Sequence, residues 1–480
     1  MSRILTPDIC VIGAGSGGLS VAAAAAAFGV DTVLIEQGEM GGDCLNYGCV
    51  PSKALIAAGK AAYHAGHGAG FGVSVPRVDV DFAAVNDHIR EVIAGIAPHD
   101  SQERFEGLGV TVIRAPARFQ DPRTVLAGDA QVRARRFVVA TGSSPLVPPI
   151  PGLASVPYHT NETIFTLRTC PEHLLVIGGG PIGLELAQAH RRLGARVTVI
   201  EAARAMPRED PELAAIVLER LRGEGVEIVE GATVTAVSGA AGAIRLTIAE
   251  GGGDGEAVRE SEGTHLLLAA GRKANVEGLG LEEAGIAFDR RGITVGADLR
   301  SSNRRVYAIG DVAGGPQFTH VAGYHAGIVI RALLFRLPAK EDRDILPRVT
   351  FTDPEIGHVG LSADEARSRF GANRVRVLEA AFAGNDRARA ERRADGLVRL
   401  VAGRGGRILG ASVVGAGAGE MTNLLSLIVA RKLTARDLAG FVSPYPSLAE
   451  AVRRAAISYY ADSARNPWIR RAVRVLARFG

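Results

Sequence analysis

The sequence predicts an α/β protein with two parallel-sheet units of one design, strand, glycine turn, helix, strand, followed by an α+β C-terminal segment. Three observations carry this. A strand-like run, Ile9–Ile12, leads into Gly13-Ala14-Gly15-Ser16-Gly17-Gly18, a helix-forming stretch and a second strand, Thr32–Ile35, ending at Glu36. The same order recurs from Leu174–Ile177 through Gly178-Gly179-Gly180-Pro181-Ile182-Gly183 to Val197–Ile200 and Glu201. From about residue 350 the pattern changes to Arg-rich helices and hydrophobic strands such as Ile408–Val414.

The doubled turn is the stronger signal because each copy comes with its whole frame. In both, 23 residues separate the first glycine from the acid. Glycines at these positions let a backbone approach a pyrophosphate, which rests on the helix N-terminus. The acid then accepts from ribose hydroxyls. Two Rossmann-like dinucleotide-binding domains are therefore expected. Val138-Val139-Ala140-Thr141-Gly142 and Leu266-Leu267-Leu268-Ala269-Ala270-Gly271-Arg272 read as strands ending in small-residue turns. The proline-rich run 145–157 reads as a boundary, and the Gly-rich run 250–255 as a hairpin tip.

Composition narrows the function classes. A chain of 480 residues suits about three domains. With 47% hydrophobic and 22% charged residues it reads as an ordinary soluble protein. A net charge of +4, with no basic stripe interleaved with aromatics, argues against a nucleic-acid partner. Four cysteines are too few for a secreted disulfide scaffold, so a reducing, cytoplasmic compartment is expected. No leader peptide and no bilayer-spanning stretch are read.

Two of those cysteines carry the chemistry. Residues 41–53 read Gly41-Gly42-Asp43-Cys44-Leu45-Asn46-Tyr47-Gly48-Cys49-Val50-Pro51-Ser52-Lys53. A ring this small restrains the unfolded chain by only about 2 kcal/mol, so Cys44 and Cys49 make a poor staple. Beside a dinucleotide fold they read as a working dithiol/disulfide. Cys49 opens an apparent helix, and a helix N-terminus with a nearby lysine favours thiolate. Cys10 lies inside the first strand and Cys170 precedes the second unit; both read as packing residues.

Together these residues resemble the FAD-dependent pyridine nucleotide-disulfide oxidoreductases, the family of dihydrolipoamide dehydrogenase, glutathione reductase and mercuric reductase. The resemblance spans about residues 7–460, and the Cys44–Cys49 motif is its most specific part. It implies a first FAD-binding part over 1–150 with the redox-active disulfide and an NAD(P)-binding domain over 151–275. A second FAD-binding or central part over 276–346 and a dimerisation domain over 347–465 would follow, leaving a basic tail at 466–480. It implies FAD on Gly13, Gly15, Gly18 and Glu36, and the nicotinamide dinucleotide on Gly178, Gly180, Gly183 and Glu201. Gly42, Lys53, Thr141, Gly142, Gly271, Arg272, Gly310 and Asp311 are the further implied cofactor positions, Asp311 at the ribityl chain. Cys49 would face the flavin, Cys44 would attack substrate, and Lys53 would pair with Glu185 near flavin N5. No resident metal is implied. The C-terminal domain would form a homodimer with composite active sites.

One departure bears on the substrate. Disulfide-exchanging relatives carry a C-terminal His-Pro followed by Glu, whose histidine is the acid/base. Here the stretch is Ser443-Pro444-Tyr445-Pro446-Ser447-Leu448-Ala449-Glu450, and all eleven histidines lie at or before His358. Pro-Tyr with this glutamate resembles mercuric reductase, where thiolates meet a soft metal ion and need no proton shuttle. In these 480 residues no cysteine follows Cys170 and none precedes Cys10, so neither a C-terminal cysteine pair nor an N-terminal Cys-x-x-Cys extension like that enzyme's is expected. His320 and His325 follow the Gly310-Asp311 motif and read as structural. Three acceptors stay open: a soft metal ion or small nonlipoyl acceptor, a disulfide as in dihydrolipoamide dehydrogenase, or a partner at a membrane. Glu201 favours NADH over NADPH, though Arg204 and Arg208 could offset it. In the tail, Trp468, Ala472, Val475 or Leu476, and Phe479 share a helical face, with Arg470, Arg471, Arg474 and Arg478 away from it, a shape suited to peripheral membrane contact.

Overall fold

The computed structural model describes residues 3–251 and 257–479. Two compact units emerge. The first runs to Ala205 and resumes over Gly225–Asp342; the second takes Met206–Glu224 and the described chain from Arg343 on.

The first unit holds both repeated motifs. One parallel sheet orders its strands Val306–Ala308, Arg136–Val139, Ile9–Ile12, Thr32–Glu36 and Thr111–Arg114. Strand residues alternate faces. Cys10, Ile12, Val33, Ile35, Phe137 and Val139 join one core on one side of the sheet. Ile9, Val11, Leu34 and Val138 join another on the opposite side. Burial on both faces explains why these strands are unbroken apolar runs. A second parallel sheet orders Val226–Glu230, Arg196–Glu201, His173–Ile177 and His265–Leu268. Three antiparallel strands from Ala232 to Gly263 share a core with it. Residues 252–255 of the expected hairpin tip lie outside the described residues; the flanking strands Ala243–Glu250 and Ala257–Gly263 pair antiparallel.

Helices Ser16–Ala27 and Pro181–Arg192 follow the two glycine turns. Gly17 sits where a Cβ would meet Ala322 at 3.2 Å, so the first of them packs closely on helix Thr319–Phe335. Helix Cys49–Gly66 packs on Pro181–Arg192 through Gly59, where a Cβ would stand 3.2 Å from the Ala189 carbonyl oxygen.

The second unit is α+β. Its antiparallel sheet orders Arg348–Thr350, Glu355–Gly360, Ile408–Gly415, Leu397–Ala402 and Arg376–Ala381. Helices Ala418–Ala430 and Glu450–Ile457 close its core with Met421, Leu425, Ile428, Val452 and Ala455. Helix Pro211–Gly223 belongs here, and Arg399 anchors it by donating to Asp210 and Glu212 at its start and to Glu379. The chain ends in helix Pro467–Leu476, capped by Asn466, which accepts from the Trp468 N–H at 2.9 Å. No helix among the described residues is long and apolar enough to cross a membrane.

The first turn separates two kinds of glycine. A Cβ on Gly18 would lie 1.9 Å from the Gly13 carbonyl oxygen, whereas one on Gly15 meets nothing within 4 Å. Gly18→Ala should lower the urea unfolding stability of the apoprotein by about 1–3 kcal/mol, the usual cost of overpacking. Gly15→Ala should cost under about 1 kcal/mol, the size of a weaker N-cap.

Candidate active site

The two glycine turns are built alike. Gly13 has φ +104° and Gly178 φ +116°, a region that favours glycine. A Cβ on either would stand 2.4 Å from a carbonyl oxygen, of Ala140 in one copy and Ala269 in the other. A Cβ on Gly183 would lie 2.0 Å from the Gly178 oxygen, matching Gly18. Gly15 and Gly180 precede their helices with the same extended backbone, φ −80° and −79°, both with ψ −177°, and both have open space where a side chain would be. Each turn is therefore a cradle open at its second glycine and floored by a helix N-terminus, which fits a dinucleotide pyrophosphate.

The acids add a detail. Glu36 accepts from the Ala14 and Gly38 N–H groups, both at 2.6 Å. Glu201 accepts from Gly179 at 2.7 Å and Ala203 at 3.0 Å. Each carboxylate thus ties its turn to the end of its strand, a job the ribose reading did not include. Each oxygen keeps acceptor capacity for a hydroxyl.

The dithiol turn docks against the first cradle. The Gly41 N–H donates to the Ala14 oxygen at 3.0 Å, and Gly42, at φ +61°, sits where a Cβ would meet the Gly15 Cα at 2.8 Å. Cys49 is the first residue of its helix and exposed; Cys44 is half-buried; both are free thiols. A hydrogen bond from the Cys44 thiol lowers the Cys49 pKa to about 6, helped by the Thr319 hydroxyl 3.2 Å away and the Lys53 charge, against desolvation. The Cys44 pKa is raised because its proton is shared with Cys49, and burial adds to this. The pair thus divides into a thiolate and a thiol. Lys53 Nζ stands 2.7 Å from Glu185 Oε2, whose side chain is only 7% exposed. This pair joins the dithiol helix to the helix of the second cradle.

A polar chain links the remaining positions. Ser143 Oγ donates to Asp311 Oδ2 at 2.6 Å and accepts from Arg272 Nε at 2.7 Å. Arg272 also reaches Asp43 Oδ1 at 3.2 Å, and Asn161 Nδ2 donates to the same Asp43 oxygen at 3.0 Å and to the Tyr47 carbonyl at 3.1 Å. Thr141 and Gly142 close a small loop with Asn275: the Thr141 hydroxyl donates to the Asn275 oxygen at 2.8 Å, and the Asn275 N–H to the Gly142 oxygen at 3.0 Å. Gly271 and Gly310 take φ +125° and +68°. Burial raises the Asp311 pKa despite Ser143 and Arg272. His325 is buried: its Nδ1 accepts from the Gly310 N–H at 3.1 Å, so Nε2 carries the proton to Glu341 at 3.0 Å. It is structural, and it holds the backbone beside Asp311. His320 is exposed and stacks on Phe318. Sequence reasoning missed Thr319, Ser143 and Asn161, because nothing local marks a lone hydroxyl or amide. Cys10 is fully buried and Cys170 half-buried, in keeping with packing roles.

Tyr445 and Glu450 belong to the second unit. The exposed Tyr445 hydroxyl donates to Asp386 Oδ2 at 2.9 Å, and that hydrogen bond and charge raise its pKa. Glu450 Oε1 accepts from Arg454 Nε at 3.1 Å. Among the described residues of one subunit, Ser443 Oγ, Ser447 Oγ, Glu450 Oε2 and Arg453 Nε are buried with no hydrogen-bond partner, an unusual concentration in one short segment.

Two dinucleotide cradles with a polarised dithiol docked on one of them define a nucleotide-dependent dithiol oxidoreductase. Residues 7–326 match the pyridine nucleotide-disulphide oxidoreductase family and residues 346–456 its dimerisation domain, and the chain belongs to this family. It is 36% identical to a mercuric reductase of Streptomyces lividans over 466 residues, covering 95% of this chain and 97% of that one. It is 35% identical to a dihydrolipoyl dehydrogenase of Thermus scotoductus over 461 residues, covering 94% and 97%. Among solved structures, the Cu(II) complex of the HOCl-induced flavoprotein disulfide reductase RclA of Escherichia coli is similar with a TM-score of 0.80 and 27% identity, over 92% of this chain and 98% of that one. The protein is an FAD-dependent, NAD(P)H-dependent oxidoreductase, and its dimerisation domain makes it a homodimer.

In the reduced protein, alkylation of Cys49 by iodoacetamide should rise through about pH 6, because the lowered pKa places the thiolate above that pH. Thr319→Val removes one hydrogen bond to the anion. A bond of that kind contributes about 1.5–3 kcal/mol, so the alkylation midpoint should move up by about one to two pH units.

Proposed function

We propose that this enzyme passes two electrons from NAD(P)H through FAD to the Cys44–Cys49 pair and on to a thiophilic metal ion such as Hg²⁺. Residues 1–150 and 276–346 form the FAD-binding parts, with Gly13, Gly15, Gly18, Glu36, Gly42, Lys53, Thr141, Gly142, Gly310 and Asp311 toward FAD. Residues 151–275 take the nicotinamide dinucleotide on Gly178, Gly180, Gly183, Glu201, Gly271 and Arg272. Residues 347–465 form the dimer, across which Tyr445 and Glu450 complete the site. The orphaned polar atoms between Ser443 and Arg453 support a segment that is finished by a second copy.

Bound FAD supplies the two-electron redox step between nicotinamide and dithiol. The residues do the rest. The hydrogen bond from Cys44, with Thr319 and Lys53, holds Cys49 as an anion, and Cys44 keeps the proton until it is displaced. An arriving soft cation replaces that proton and is ligated by sulfur. The net reaction, NAD(P)H + Hg²⁺ → NAD(P)⁺ + H⁺ + Hg⁰, returns the dithiol unchanged and asks no side chain to protonate a leaving thiol.

Tyr445 carries the choice of acceptor. A phenol whose pKa is raised by Asp386 is a hydrogen-bond donor at neutral pH and a poor base. The mercuric reductase relatives, and a disulfide reductase neighbour solved with Cu(II), point the same way. The dihydrolipoyl dehydrogenase relative favours the disulfide reading. The deciding test runs NAD(P)H-dependent Hg²⁺ reduction beside dihydrolipoamide:NAD⁺ turnover. We expect metal reduction, with lipoamide turnover lower by about the 10²–10⁴-fold that general acid/base catalysis supplies. Tyr445→His should raise lipoamide turnover at least tenfold; fast lipoamide turnover by the natural enzyme would sink the metal reading.

NADH is the proposed donor, since Glu201 repels a 2′-phosphate. The kcat/KM for NADH should exceed that for NADPH, and Glu201→Gln should narrow the gap. The enzyme is placed in the cytoplasm, in peripheral contact with a membrane through its tail.

A further inference from the structure

We propose that the C-terminal helix is a surface anchor that lays the enzyme on an anionic lipid leaflet. This deepens the peripheral contact named above and leans on no part of the acceptor assignment. The tail lies beyond residue 456, where the match to the dimerisation domain ends. It forms the helix Pro467–Leu476, and its turn continues through backbone bonds from Arg478 to Val475 and from Phe479 to Leu476.

The sides of this helix are sorted cleanly. At about 100° per residue, Trp468, Ile469, Val473, Leu476 and Phe479 fall with Ala472 and Val475 in one arc of roughly 160°. Arg470, Arg471, Arg474 and Arg478 fill an arc of roughly 100° on the other side. Within one subunit nothing covers the apolar arc: Trp468 is 77% exposed, Leu476 68% and Phe479 83%. An isolated helix this short is marginal in water and is stabilised by burying such a face.

Charge selects the occupant. From Ser463 to Gly480 there are five arginines and no acidic residue. An apolar protein groove would satisfy the exposed face and leave the arginines idle. An anionic leaflet takes both: the apolar arc sinks to the acyl boundary, while the arginine stems reach back to phosphates at the headgroup level. Trp468 is the residue type that favours that depth.

The test is flotation of the full-length holoenzyme with vesicles of phosphatidylglycerol and phosphatidylcholine, against vesicles of phosphatidylcholine alone. We expect flotation with the anionic vesicles at low salt, its loss at high salt, and none with the neutral ones. Each arginine near such a surface contributes about 1 kcal/mol, or about fivefold in affinity. Replacing Arg470, Arg471, Arg474 and Arg478 with Gln should therefore weaken binding by at least about a hundredfold. Trp468→Ser with Phe479→Ser should abolish it at unchanged charge. Both variants should keep FAD content, dimer mass and turnover with a soluble acceptor. No flotation with anionic vesicles, or equal flotation of natural and variant enzymes, overturns the proposal. So does conversion to monomer on deleting residues 466–480, which would make the apolar arc a subunit contact. A preparation that floats but does not reduce Hg²⁺ fails the acceptor reading alone.

Discussion

The backbone of Gly18 runs so close to the Gly13 carbonyl that a methyl group there would stand 1.9 Å from its oxygen, and Gly183 repeats this against Gly178. This approach brings a helix N-terminus directly beneath the end of a parallel strand. The dithiol turn docks beside the resulting cradle and leaves the space over Gly15 open, its Gly41 N–H bonding the Ala14 carbonyl. A bulkier side chain at Gly18 would push the helix outward. The dithiol turn would then lose the wall against which Gly41 and Gly42 lean.

Electrostatics builds on that scaffold from two directions. The Lys53–Glu185 pair ties the dithiol helix to the second cradle's helix and lends Cys49 a positive neighbour. Asp43, next to Cys44, pulls the other way, since its charge raises both thiols. Arg272 and Asn161 hold that carboxylate, and Arg272 is only 11% exposed, so its charge is poorly screened. A carboxylate beside a working dithiol is tolerable because a cation from a strand distant in sequence, Arg272, answers it. Through Ser143 the same arginine is linked to Asp311. The dithiol turn and the Gly310-Asp311 turn therefore share one hydrogen-bonded chain.

What the sequence made legible is what repeats or what is spaced. The two cradles announced themselves through glycines that only a crowded backbone requires, framed each time by strand, helix and acid. Cys44, Cys49 and Lys53 lie on one short run, and the pairing of Lys53 with Glu185 followed from the resemblance. Thr319 was invisible because 270 residues separate it from Cys49, and a threonine opening a helix looks like many others. Ser143 and Asn161 were hidden for the same reason: their work consists of contacts made across the fold. The acids were half read, since Glu36 and Glu201 also fasten their own turns. The tail was readable because a helix's sidedness is written in its local order.

In the proposed function, the departure at Tyr445 redirects the chemistry without disturbing the fold. Histidine near neutrality exchanges its proton freely, which is what opening one disulfide and closing another demands. Tyrosine beside Asp386 gives up its proton still less readily than a free phenol. It can point a hydrogen bond or present an oxygen, but it cannot cycle. A dithiol already divided into one anion and one thiol needs no cycling group when the incoming species is a cation, because binding expels the remaining proton by charge alone. The polarised cysteine pair and the unsuitable base thus argue for the same substrate class from opposite ends of the reaction.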